Sequence, residues 1–83
     1  MSILKLNNQI SEVLKQEYNE VIYSAWLSFI ETAELVNENI VISVPNQYIK
    51  ETFQERYADD VEELYRNSIN FNKLIIKTLI EVE

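Results

Sequence analysis

The chain has 83 residues, enough for one hydrophobic core and too few for two, so a single domain over residues 1–83 is expected. It contains no Cys, no His and no Gly. This removes disulfides, thiol nucleophiles, imidazole bases, the usual zinc ligands and every glycine-built phosphate loop together. Fourteen Asp and Glu against seven Lys and Arg leave a net charge of −7, which repels phosphate backbones and anionic lipid at long range. The expectation is a protein without catalysis, cofactor or metal. The start, MSILKLNN, has no basic region leading into an apolar stretch, and no run approaches the roughly 18 apolar residues of a membrane span. A soluble, cytoplasmic chain with no membrane partner follows. The 47% hydrophobic content offsets the entropy of backbone ordering, which argues against disorder.

Ile3, Leu6, Ile10, Val13 and Leu14 form a helical stripe, with Ser2 placed to cap it. A second stripe runs through Tyr18, Val21, Ile22, Ala25, Trp26, Phe29 and Ile30 at spacings of three and four. The two are out of phase by one residue across the polar run Lys15, Gln16, Glu17. A break near residue 16 is therefore expected, with Asn19 capping the second helix. One unbroken helix pairing as a coiled coil is the alternative, and the strands downstream argue against it.

After Glu34 the period changes. Leu35 and Val36 precede the turn-forming Asn37, Glu38 and Asn39, and Ile40, Ile42 and Val44 then alternate with Val41 and Ser43, which reads as a β-hairpin. Pro45 ends that strand. Asn46 caps a third helix whose apolar residues Ile49, Phe53, Tyr57, Val61 and Tyr65 carry it to about Asn67. A closing strand follows the Asn70 and Asn72 stretch, with Leu74, Ile76, Ile80 and Val82 on one face. The fold class is α+β, in the order helix, helix, strand, strand, helix, strand, with three helices on a small three-stranded sheet.

Three local patterns, in this order, carry a family resemblance: Tyr23, Ser24, Ala25, Trp26, Leu27; then Val44, Pro45, Asn46, Gln47, Tyr48; then Glu55, Arg56, Tyr57. Together they resemble the N-terminal domain of the bacterial replication initiator DnaA, from Ile10 to the final strand. The resemblance implies a KH-like fold and a protein-docking role. In such a role the domain recruits the replicative helicase or an initiation regulator and supports initiator self-assembly. It places Trp26 beside the start of the third helix, where partners dock. Two positions depart from the family pattern. Where many members carry an exposed aromatic used in self-association, this chain has Leu6 and Asn7. Where some carry an acidic helicase contact, it has Ile22, which implies a different helicase contact or a different regulator. The ATPase and DNA-binding modules of a full initiator do not fit in this length, so the chain is either an excised domain or a free-standing competitor for initiator partners.

The candidate protein-binding residues are Ile22, Ala25, Trp26, Asn46 and Tyr48. Trp26 lies on a buried stripe, so core packing competes with docking, and Ile22 and Ala25 lean further toward the core. Asn46 reads first as a helix cap. Tyr48 falls off the stripe of Ile49, Phe53 and Tyr57 and should point outward as an amphipathic anchor. The acidic Asp59, Asp60, Glu62 and Glu63 have no His or Cys partner and read as a solvated face rather than a metal site. The rival function is weak single-stranded DNA binding, as KH domains show. It is poorly served by scattered Lys5, Lys15, Lys50, Arg56, Lys73 and Lys77 and by the lack of a glycine loop.

Overall fold

A computed structural model describes residues 2–79. The first helix, α1, is Ile3–Tyr18, and the Lys5 N–H donates to Ser2 Oγ at 3.2 Å to cap it. It buries Leu6, Asn7, Ile10, Ser11 and Leu14. The helix runs two residues past the break expected near residue 16, because what ends it is Asn19 in a positive-φ conformation (φ 83°). The same side chain accepts the Ile22 N–H at 3.0 Å and opens the next helix. Asn tolerates positive φ better than other residues with a Cβ, so one Asn closes one helix and starts another without glycine.

The second helical segment is not a uniform α-helix. A short α2, Glu20–Ile22, passes into a π-turn, Tyr23–Leu27, and then a 3-10 turn, Ser28–Thr32. The inner face differs from the stripe read in the sequence. Tyr23, Leu27 and Ile30 are buried, while Val21 and Ala25 are exposed and Ile22, Trp26 and Phe29 are partly buried. The expected stripe therefore fails at Val21 and Ala25. Tyr23, Leu27 and Ile30 stand four and three apart, so the inner face is a rival helical stripe with Val21 and Ala25 on the opposite side.

Strands β1 (Glu34–Val36) and β2 (Asn39–Val44) pair antiparallel, Val36 opposite Asn39, around a two-residue turn. Both turn residues have positive φ, 50° at Asn37 and 68° at Glu38, as a type I′ hairpin requires. Asn suits this; Glu does not, because its Cβ crowds the carbonyl in the left-handed region. Glu38→Gly is expected to stabilise the chain by about 0.5–1 kcal/mol, the relieved crowding exceeding the added chain entropy. A urea midpoint at or below that of the native chain would contradict it.

The expected third helix is two helices, α3 (Gln47–Arg56) and α4 (Ala58–Arg66), meeting at a kink on Tyr57. The Tyr57 ring packs edge-on against Tyr18 at 5.5 Å, and Tyr18 donates a hydrogen bond to the Asp60 carboxylate. Asp59 and Asp60 lie in the first turn of α4, where carboxylates stabilise a helix start. Strand β3 (Leu74–Thr78) then pairs parallel to β2, giving the order β1-β2-β3. The helices cover one face of this mixed sheet, burying Ile40, Ile42, Val44 and Ile76 against Leu14, Leu27, Phe53, Val61 and Tyr65. The α+β class stands, with four α-helices among the described residues in place of three. Ile80 and Val82 of the expected closing strand lie outside the described residues.

Arg66 fastens the connection into β3. Its guanidinium donates to Glu62 and to the carbonyls of Phe71 and Asn72, and it stacks over the Phe71 ring at 4.2 Å. Among the described residues no helix is long and apolar enough to cross a membrane.

Candidate docking surface

Two elements build the surface. The π-turn supplies Trp26, and the start of α3, which packs against that turn, supplies Tyr48. Asn46 fixes the second contribution: in extended conformation it accepts the Ile49 N–H on Oδ1 at 2.9 Å. Pro45 before it and the cap within it set the direction in which α3 departs, and so aim the residue one position past the first turn's start. Tyr48 is 70% exposed. Its ring centroid stands 6.1 Å from that of Trp26, with the planes tilted by 59°, within the range of favourable aromatic pairs.

Of the five sequence candidates, Trp26 and Tyr48 are brought together, Asn46 caps the helix that carries Tyr48, and Ile22 and Ala25 lie on the same helical segment as Trp26. Trp26 is neither core nor fully surface: one side packs against the hydrophobic cluster and the rest meets Tyr48. Ile22 is partly buried one turn earlier, and Ala25, which leaned toward the core, is exposed. Asn46 is exposed, yet its amide oxygen is committed to the cap, so it acts on the surface by positioning Tyr48. Sequence reasoning missed Val21, expected on the buried stripe and instead 79% exposed one turn before Ala25. The signal that could have found it is the rival stripe Tyr23, Leu27 and Ile30, spaced four and three, which turns Val21 outward. Ser24 and Ser28, four apart, lie away from that stripe on the polar side.

The surface is uncharged at its centre and carries acidic residues beside it, Glu20 on α2 and Glu51 on α3, the latter accepting from Gln47 at 3.1 Å. Concavities lie elsewhere. A cleft of about 110 Å³ between the start of α1 and β1 is lined by Ile3, Leu6, Leu35 and Ile69, well below the few hundred cubic ångströms of an ordinary ligand site. Asp59, Glu62 and Glu63 line an open depression together with Arg66, which pairs with Glu62 at 2.7 Å. Among the described residues no three acidic side chains converge as a metal site would need. The Trp26–Tyr48 pair is an aromatic patch with one ring partly buried and the other exposed.

Leu6 and Asn7, where the family pattern has an exposed aromatic, are each 2% exposed. Neither side chain can present itself to a second copy, because α1 turns both into the core.

The DnaA N-terminal domain profile matches residues 5–67. The chromosomal replication initiator protein DnaA of Wolbachia sp. subsp. Brugia malayi (strain TRS) is 30% identical over 59 residues, which is 71% of this chain and 13% of that protein. The chain thus spans a small fraction of the length of the curated relative it matches. No solved structure matches the chain. With a family match across most of its length, from α1 to the end of α4, the chain belongs to the DnaA N-terminal domain family.

Proposed function

We propose that the chain serves initiation of chromosomal DNA replication as a docking domain, recruiting the replicative helicase or an initiation regulator through Ile22, Ala25, Trp26, Asn46 and Tyr48. The observation that carries this reading is the Trp26–Tyr48 pair, an aromatic couple with one partner anchored in the core and the other 70% exposed. An anchored aromatic beside an exposed one combines large contact area with little ordering cost, the combination that dominates protein interfaces. Membership of a family named for the DnaA N-terminal domain supports the replication context. Self-assembly of the initiator belongs to the same reading, carried by side chains other than the buried Leu6 and Asn7.

Titration of the chain against the purified replicative helicase of its own organism tests this. Tyr48→Ala is expected to weaken binding by about thirtyfold, corresponding to an interface residue contributing about 2 kcal/mol. The thermal midpoint should stay nearly unchanged because the ring buries little. Native affinity in the variant would remove the reading, and a large drop in thermal midpoint would show that Tyr48 supports the core instead.

A further inference from the structure

We infer that the outer face of the sheet is an interface between two copies of this chain, held in register by crossed pairs of Glu34 with Lys77. The inference rests on the self-assembly part of the proposed function, names the surface for it, and uses nothing of the Trp26–Tyr48 patch. The molecule measures 19 Å along its short axis against 33 and 32 Å along the others, the depth of one helix layer on one sheet. Along β2 and β3 the burial alternates. Ile40, Ile42, Val44, Ile76 and Thr78 are enclosed under the helices, whereas Val41 and Ser43 are half-buried and Ile75 and Lys77 are exposed on the other side.

Strand register arranges these outward residues in rows. Glu34, Val41 and Ile75 lie side by side across β1, β2 and β3, and Ser43 and Lys77 lie side by side two residues further along. The face thus has an apolar middle, an acid on its β1 edge and a base on its β3 edge. Among the described residues neither Glu34 nor Lys77 is in an ion pair. A two-fold axis parallel to the strands turns a second sheet over, so that its β3 stands across from β1 and Val41 meets its own copy. Glu34 then faces Ile75 of the second copy, with Lys77 of that copy roughly 7 Å further along the strand, a gap its long stem spans. Symmetry makes the pair twice. An axis across the strands would instead set each charged edge against itself, the arrangement that interfaces avoid.

From strand spacing and rise the face spans roughly 14 by 17 Å, or about 240 Å² per copy, well under the roughly 800 Å² per partner of a stable complex. The contact is therefore weak, with a Kd on the order of 0.1–1 mM, and forms where copies are already gathered. A net charge of −7 on each copy opposes it, and the crossed pairs offset that repulsion locally.

Translational diffusion of the full chain, followed by NMR from about 20 µM to 2 mM, spans that range. The native chain slows toward the dimer value, and Ile75→Glu, which puts a carboxylate in the apolar row, stays monomeric. Glu34→Lys reduces the repulsion between copies, since exchanging one acid for one base raises −7 to −5, yet it weakens association about tenfold by setting like charges together. Lys77→Glu weakens it too. Combining Glu34→Lys with Lys77→Glu reverses the pair at unchanged net charge and restores native association to within about twofold. The charge variants alter exposed side chains only, and their far-ultraviolet spectra match the native one. Native diffusion independent of concentration, or single exchanges that the double does not repair, overturns the interface. Association untouched by Ile75→Glu overturns it as well and moves self-assembly to another surface. An interface that passes while Tyr48→Ala binds helicase like the native chain keeps this inference and removes the docking reading.

Discussion

Asn7→Ala is expected to cost about 3–5 kcal/mol, a large part of the 5–15 kcal/mol that a folded domain possesses. Asn7 is buried on α1, and its side chain joins three elements. Nδ2 donates to the Ala33 carbonyl just before β1 at 3.0 Å, and Oδ1 accepts from the Tyr65 hydroxyl on α4. Among the described residues every buried side-chain nitrogen and oxygen has a partner. Truncation would orphan a carbonyl and a phenol at once, each costing about 1–3 kcal/mol, and leave a small void besides. At 4–8 °C per kcal/mol for a domain of this size, the thermal midpoint should fall by roughly 15–30 °C.

A double-mutant cycle isolates the mechanism. Tyr65→Phe alone leaves Asn7 Oδ1 unsatisfied and should cost about 1–2 kcal/mol. In the Asn7→Ala background it should cost almost nothing, since the hydroxyl it deletes already lacks its partner. Additive losses would mean that the two side chains do not act as a pair. A loss below about 1 kcal/mol for Asn7→Ala would mean that water replaces the amide.

The reach and the failures of the sequence have physical causes that these residues display. Capping chemistry was legible because it is local: Ser2, Asn19 and Asn46 each accept from the backbone three residues on. The hairpin was legible because β2 alternates strictly, its even-numbered residues buried from Ile40 to Val44. Element order and class followed. What failed needed more than a single local pattern. The second helix offers two apolar stripes a residue apart, and the one through Val21 and Ala25 was read where Tyr23, Leu27 and Ile30 form the inner face. The kink at Tyr57 has no Pro or Gly to announce it and depends on Tyr18, thirty-nine positions away in sequence. Asn7 lies off the apolar stripe of α1, and a polar residue gives no sign that a carbonyl and a phenol await it inside. For the docking surface, Tyr48 was readable as an off-stripe residue at a helix start, whereas its distance from Trp26 belongs to packing that no spacing encodes.

Stability should be nearly flat from about pH 6 to 9 and collapse between about pH 10 and 12. The flat region follows from a sequence without His or Cys, whose side chains would otherwise titrate there. The collapse follows from three tyrosines. Burial, reinforced by donation to Glu31, pushes Tyr23 up to about 12. The hydrogen bond to Asp60, reinforced by partial burial, pushes Tyr18 up to about 12. Burial raises Tyr65 further still. Each is held above the ordinary value near 10, so the folded chain keeps protons that the unfolded chain releases. Their contribution is complete below pH 10 and is lost as pH rises toward 12, because phenolate forms only on unfolding. In that window each fully buried phenol steepens the decline by up to about 1.4 kcal/mol per pH unit. Urea melts at pH 7, 9, 10.5 and 11.5, with phenolate absorbance followed in parallel, measure this directly. Native and Tyr23→Phe chains should diverge in slope only above pH 10. Phenolate absorbance that appears near pH 10 while the far-ultraviolet spectrum stays folded would show that the hydroxyls of Tyr23 and Tyr65 are open to water, contrary to their enclosure between α1, the π-turn and α4.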